Sequence, residues 1–308
     1  MDLMTLRRSL DAESYIFEED FLITVYIALK LGKPLLIEGA AGVGKTEVAK
    51  VLASALGAEL IRLQCYEGLD ESKALYEWNY QKQLLSIQLG LAQGNGEGGK
   101  AGGNNACYSI EDQLSKLGSL FTEDFLLERP LLKAINSEKQ SVLLIDEIDK
   151  TDEEFEAFLL EILSDFQVSI PELGTVRAKN KPVVILTSNN TRQLSDALKR
   201  RCAYLFIDYP SVEKEVRIIN ARLPGVSEKL ARDVAAAAAY LRNNDRIFKK
   251  PSIAETLDWV AALMALDKKR LDEDGTEKTI GFVLKSREDL VEFYKSGGFS
   301  GFVDGEHS

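Results

Sequence analysis

Gly39-Ala40-Ala41-Gly42-Val43-Gly44-Lys45-Thr46 fits the spacing G-x-x-x-x-G-K-[ST]. That spacing suits phosphate chemistry. Glycines let successive backbone N–H groups turn inward against phosphate oxygens. A helix beginning at the lysine adds the positive end of its dipole. Lys45 can reach the β- and γ-phosphates of a nucleoside triphosphate, and the Thr46 hydroxyl can coordinate Mg²⁺.

Such a loop binds phosphate but hydrolyses nothing alone. The run Ser141-Val142-Leu143-Leu144-Ile145-Asp146-Glu147 carries two carboxylates at the end of an apolar segment. Asp146 can hold Mg²⁺ through water, and Glu147 can polarise an attacking water as general base. An acidic cap on the following helix is the plainer alternative. Asn189 closes a third apolar run. Its amide can hydrogen-bond a γ-phosphate or the same water, or form a turn with Asn190. Arg200 and Arg201 end a short helical stretch. Either can deliver a guanidinium across a subunit boundary to a γ-phosphate, or they compensate a helix dipole. Cys202 beside them reads as an inert core thiol.

These residues need a frame. Leu35-Leu36-Ile37 reads as a buried strand emptying into the glycine loop, and Val48, Val51, Leu52, Ala55 and Leu56 predict a helix after it, stopped by Gly57. Before it, an acidic first turn at Glu18-Glu19-Asp20 opens a helix running to Leu31, ended by Gly32 and Pro34. Strands are expected at 59–64, 141–147, 183–187 and 203–207. Thr151 and Glu154 predict a capping box on a helix containing Phe155, Leu159, Ile162 and Leu163. A hairpin is expected over 167–180, and helical spacing over 110–136, broken at Pro130. Residues 94–105, almost all Gly, Asn and small polar types, read as a loop without structure of its own. The strand runs are continuously apolar, which predicts a parallel sheet covered by helices on both faces. After Pro210 the strand signal stops. Helices are expected over 211–223, 227–242, 252–270 and 278–295, with a frayed glycine-rich tail from Gly297. The division expected is an α/β nucleotide-binding domain over 1–209, with a mobile insert at about 84–105, and a helical lid with tail over 210–308.

Composition narrows the class. The chain has 308 residues, 45% hydrophobic and 28% charged, which predicts a soluble globular protein. No early stretch has the pattern of a signal peptide, and the apolar residues 21–31 are too few to span a bilayer; a cytoplasmic location is expected. The three cysteines, Cys65, Cys107 and Cys202, show neither a disulfide framework nor a zinc spacing. The single histidine, His307, leaves no pair of imidazoles for a metal site. A formal net charge of −11 argues against a surface built to track nucleic acid.

Taken together, GAAGVGKT, VLLIDEID, a strand ending LTSNN, ALKRRC and a helical lid resemble an AAA+ ATPase over about residues 15–270. RLQCYEGLD, YEWNYQKQLL, FLLERPLLKAI and SNNTRQLSDALKRRC are similar to the MoxR branch, and within it to the accessory ATPases of carbon-monoxide-dehydrogenase-type molybdenum hydroxylases. The resemblance implies a P-loop α/β domain followed by an AAA+ lid. It makes Gly39 to Thr46 the Walker A loop, Asp146 and Glu147 the Walker B pair, Asn189 sensor 1, and Arg200 or Arg201 the arginine finger. ATP and Mg²⁺ are the implied cofactors. A ring homo-oligomer, a hexamer, is implied, with a von Willebrand A-domain protein and a client metalloenzyme as partners. Residues 84–105 and 167–180 fall where this branch carries a helix-2 insert and a pore-facing hairpin. Pro251-Ser252-Ile253-Ala254-Glu255 lacks the arginine that relatives place at the start of a lid helix (sensor 2); Arg246, Lys249 or Lys250 can replace it. Tyr15 and Ile16 lie where adenine is often contacted. The expected activity is ATP hydrolysis coupled to remodelling or maturation of a partner protein. A DNA-directed AAA+ motor and an ATP-gated assembly module are the alternatives.

Overall fold

A computed structural model describes residues 2–94 and 121–304. Residues 95–105 of the expected loop, Cys107, residues 110–120 of the expected helical stretch and His307 lie outside the described residues. Five parallel strands and four in antiparallel pairs follow in chain order: β1 (Leu35–Gly39), β2 (Glu59–Gln64), β3 (Tyr76–Trp78), β4 (Leu126–Glu128), β5 (Ser141–Asp146), β6 (Gln167–Ile170), β7 (Gly174–Arg177), β8 (Val183–Ser188) and β9 (Ala203–Ile207). The parallel sheet runs β2-β5-β8-β1-β9; β3 pairs with β4 and β6 with β7.

The continuous apolar runs have the expected cause. Alternate residues of a strand face opposite sides. Leu35, Ile37, Val142, Leu144 and Ile185 pack with the helices Leu3–Ala12, Glu19–Leu31 and Lys45–Leu56. Leu36, Leu143, Ile145, Val184 and Leu186 pack on the other side with Pro130–Asn136, Glu153–Asp165 and Asp196–Arg201. Each fully buried aliphatic side chain contributes about 1.5–3 kcal/mol, so both faces must be covered.

Strand order also places the chemistry. β8 lies between β1 and β5, with Glu38 opposite Ser188 and Ile145 opposite Leu186. All three strands are parallel, so the segments leaving them open at one edge of the sheet. Those segments carry the glycine loop, Asp146-Glu147 and Asn189.

A third apolar core lies among the C-terminal helices, Val212–Arg222, Glu228–Asn243, Ile253–Ala265, Glu273–Thr279, Arg287–Lys295 and Phe299–Asp304. Trp259 is fully buried there, its indole N–H donating to Thr279 Oγ1 at 2.7 Å. Arg242 ties the helices together. It donates twice to Glu215, at 2.6 and 2.8 Å, and through Nε to the Pro251 carbonyl at 2.8 Å. Its guanidinium also lies 4.9 Å from the Tyr209 ring centre.

Several local expectations are corrected. The helix Glu153–Asp165 is capped by Asp152, which accepts the Phe155 N–H; the Thr151 hydroxyl donates to the Ile148 carbonyl instead. Residues 126–128 form β4 rather than helix, because Leu126 pairs with Trp78. The Trp78–Leu126 pairing brings both ends of the 79–125 excursion together. The helix expected over 252–270 ends at Ala265, Asp272 caps an unexpected helix over Glu273–Thr279, and the helix expected over 278–295 breaks where Ser286 caps Arg287–Lys295; Asp272 and Ser286 accept the N–H groups of Gly275 and Asp289. The tail does not fray at Gly297. Gly297 and Gly298, both at positive φ, turn the chain into Phe299–Asp304, and buried Phe302 packs against Tyr240, Trp259 and Phe293.

Arg242→Ala would leave the Glu215 carboxylate buried without its partner, a loss of about 3–5 kcal/mol. The expected outcome is a fall of several degrees in the melting temperature, followed by circular dichroism, with the pair Arg242→Met and Glu215→Leu falling less. Equal melting of Arg242→Ala and the parent would contradict the role of this ion pair.

Candidate functional site

The phosphate loop takes its shape from β1 and the helix Lys45–Leu56. At Gly39 a Cβ would sit 2.1 Å from the Ile207 carbonyl oxygen, so no side chain fits between β1 and β9 there. Gly42 has φ +74°, and a Cβ on it would sit 2.3 Å from the Cβ of Ser252. The Ile253 N–H donates to the Gly42 carbonyl at 3.2 Å. The start of the helix Ile253–Ala265 therefore rests directly on the loop.

Lys45 is buried, its ammonium donating to the carbonyls of Gly39 (2.9 Å) and Ala40 (2.6 Å) and to Asn189 Oδ1 (2.7 Å). Burial pushes its pKa down, against the opposing charges of Asp149, Asp146 and Glu147. The other end of the same carboxamide, Asn189 Nδ2, donates to Glu147 Oε1 at 3.2 Å. Thr46 Oγ1 donates to Asp146 Oδ1 at 3.1 Å. One hydroxyl and one carboxylate this close fit Mg²⁺, which keeps several waters and takes phosphate oxygens for the rest of its shell.

Glu147 stands at φ 58° and ψ 49°, a left-handed conformation that costs about 1–2 kcal/mol for a residue with a Cβ. Its N–H donates to Thr187 Oγ1 at 2.9 Å, and that hydroxyl donates in turn to Asp146 Oδ1 at 2.5 Å. Glu147 Oε2 accepts from Gln64 Nε2 at 3.0 Å and Lys150 Nζ at 2.5 Å. That hydrogen bond, and then the carboxylate's charge, raise the Lys150 pKa.

Sequence reasoning missed the supports of this site. Arg62 Nη2 donates to Asp146 Oδ2 at 2.5 Å. Arg62 and Gln64 share one face of β2, and two polar residues in step at the end of an apolar strand were the available signal. Asp149 accepts from the N–H groups of Asn189 (3.2 Å) and Thr191 (2.9 Å) and from the Thr191 hydroxyl (2.6 Å). Burial acts to raise the Asp149 pKa, but these donors outweigh it and lower the pKa. Glu38, just before the loop, is buried; its Oε2 accepts from the Tyr204 hydroxyl at 2.9 Å, and its Oε1 lies 3.4 Å from the Lys199 ammonium.

The cleft has two ends. Lys45, Thr46, Asp146, Glu147, Thr187 and Asn189 line a polar end. Tyr15, Ile16, Val43, Ile207, Pro210, Ile218 and Leu257 line an apolar end, of a character that suits a base. Arg200 and Arg201 line neither end. Both are exposed, and Arg201 donates to the carbonyl of Ala197 in its own helix at 3.3 Å. The suggested replacements for the missing lid arginine are also outside the cleft. Arg246 pairs with Glu292, and Lys250 donates to the Asn244 carbonyl. The cations that do line it are Lys45 at the polar end and Lys214 and Arg222 at the apolar end. Burial pushes the thiols of Cys65 and Cys202 up to about 12, so neither is a nucleophile at neutral pH.

A glycine loop at a helix start, facing paired acids across a parallel sheet, defines a nucleotide-binding ATPase. The chain belongs to the AAA domain family (dynein-related subfamily), which it matches over residues 34–202. No curated protein matches it significantly. Among solved structures it is similar to the Thermotoga maritima RuvB Holliday junction branch migration motor, at 18% identity and a TM-score of 0.49, covering 91% of this chain and 74% of that one. It is also similar to a Cytophaga hutchinsonii protein described as a "putative ATPase", at 15% identity and a TM-score of 0.46, covering 94% and 90%. No helix among the described residues is long and apolar enough to cross a membrane.

Gly42→Ala would add left-handed strain of about 1–2 kcal/mol and a methyl group inside the Ser252 side chain. Gly44→Ala, at φ +93° with open space around it, would add strain alone. Calorimetric titration with ADP is expected to show at least tenfold weaker binding for Gly42→Ala and a smaller loss for Gly44→Ala. The reverse order would mean that the contact between loop and lid helix does not shape the cleft.

Proposed function

We propose that this chain is a ring-forming ATPase of the MoxR branch that couples ATP hydrolysis to remodelling or maturation of a partner protein. One observation carries the reading: Lys45, Thr46, Asp146, Glu147 and Asn189 converge on one cleft from the ends of three adjacent parallel strands. Residues 1–209 hold the nucleotide and 210–308 form the lid, a division supported by the separate apolar core of the C-terminal helices. Residues 39–46 wrap the phosphates. Lys45 exchanges its carbonyl partners for phosphate oxygens, and Thr46 and Asp146 hold Mg²⁺. The ion, when bound, neutralises phosphate charge as the γ-phosphoryl group leaves. Glu147 takes the proton of the attacking water, and Asn189 orients that water against the γ-phosphate.

Release of Glu147 from Gln64 and Lys150 frees its carboxylate for this task. Arg200 or Arg201, exposed and outside its own cleft, serves the cleft of a neighbouring subunit in a hexamer. The hairpin β6–β7 supports assignment to the MoxR branch, which carries one before sensor 1. By the same resemblance, the partners are a von Willebrand A-domain protein and a molybdenum hydroxylase whose metal centre is being assembled in the cytoplasm. The net charge of −11 weighs against a DNA-directed motor.

Glu147→Gln is expected to keep ATP binding and assembly while turnover drops by at least a hundredfold, read by phosphate release and size-exclusion chromatography with light scattering. Undiminished hydrolysis in that variant would refute the assignment. Subunits carrying Lys45→Ala, mixed with subunits carrying Arg200→Ala or Arg201→Ala, are expected to regain activity with one arginine variant. No gain in any mixture would count against action across the subunit boundary.

A further inference from the structure

The two ends of the cleft meet at four residues: Gly42, Gly44, Glu47 and Ala254 line both. A nucleotide with its base at the apolar end and its phosphates at the polar end must place its sugar where the ends join. Of the four, Glu47 alone has a polar side chain. Its carboxylate Oε1 accepts from Arg222 Nη2 at 2.8 Å, and its Oε2 accepts from Lys50 Nζ at 3.1 Å. Both partners are cations, and each forms an ion pair with the carboxylate. A carboxylate has about four acceptor positions, and two remain for hydroxyl groups. Arg222 comes from the first lid helix, Val212–Arg222, and Glu47 from the phosphate-loop helix.

We propose that Glu47 reads the ribose hydroxyls of the nucleotide, and that Arg222 holds it in place from the lid. Glu47 is thus the residue that selects a ribonucleotide over a deoxyribonucleotide. This rests on the placement of ATP proposed above. A hydroxyl donating to a charged acceptor gives discrimination on the order of tenfold or more when the hydroxyl is missing. Arg222 lines the apolar end but not the junction, so its part is to position the acceptor from the lid, not to choose between sugars.

The test compares ATP with its 2′-deoxy and 3′-deoxy analogues in steady-state hydrolysis by the full chain, Glu47→Ala, Glu47→Gln and Arg222→Ala. For the parent, KM is expected to rise about tenfold for at least one deoxy analogue. In Glu47→Ala, KM for ATP should rise to the value of that analogue, so the preference vanishes and the loss appears in KM rather than kcat. Glu47→Gln, which keeps an acceptor oxygen, should keep part of the preference. Arg222→Ala should weaken ATP and the analogues by a similar factor. Equal KM values for all three nucleotides in the parent, or an unchanged preference in Glu47→Ala, would overturn the proposal. The same ratios are read without turnover by calorimetry with ADP and its deoxy analogues. A chain that binds them with the expected preference but cleaves nothing would therefore sink the hydrolytic reading alone.

Discussion

A single carboxamide joins the two halves of the site. Asn189 accepts from the Lys45 ammonium through its oxygen and donates to the Glu147 carboxylate through its nitrogen. An amide is the side chain able to face a cation and an anion at once without carrying charge itself. It reaches both because β8 runs between β1 and β5, and because Asp149 pins its backbone N–H. Move β8 to an edge of the sheet and the phosphate loop and the acids would have no common neighbour. Lys45 and Glu147 both have hydrogen-bond partners among protein groups. The phosphate groups of a nucleotide would compete with these contacts.

The lid touches this machinery through backbone and buried charge. Ile253 donates to the Gly42 carbonyl, Ser252 fills the space over Gly42, and Ser252 and Glu255 close a reciprocal capping box on the helix that begins there. Behind them Arg242 grips the Pro251 carbonyl and Glu215, and its guanidinium faces the Tyr209 ring at the junction after β9. A continuous run of contacts thus joins the phosphate loop to a helix start and to a buried ion pair.

Much of this was legible in the sequence. The glycine spacing, the acids after an apolar run and the absence of strand signals after Pro210 each reflect a local rule, and each survives in the fold. Helix boundaries after residue 250 differ from the expected ones because Asp272 and Ser286 start helices by capping, which apolar spacing does not reveal. The tail was misread because Gly297-Gly298 reads as disorder locally, while the buried surface that Phe302 finds is distant in sequence. The supports of the site, Arg62, Gln64, Asp149 and Thr187, are hard to find for a related reason, the in-step polar pair Arg62 and Gln64 being the one local signal. Their significance comes from strand adjacency: Gln64 lies opposite Asp146, and β8 lies beside β5. No spacing along the chain encodes that neighbourhood.

The pairing of Trp78 with Leu126 reaches beyond local geometry. It staples shut the base of everything between residues 79 and 125, so the sheet never registers how long that excursion is. Loop closure of this kind grows only slowly more costly with length. The length of the chain between those two residues can therefore change at little cost to the sheet that carries the phosphate chemistry.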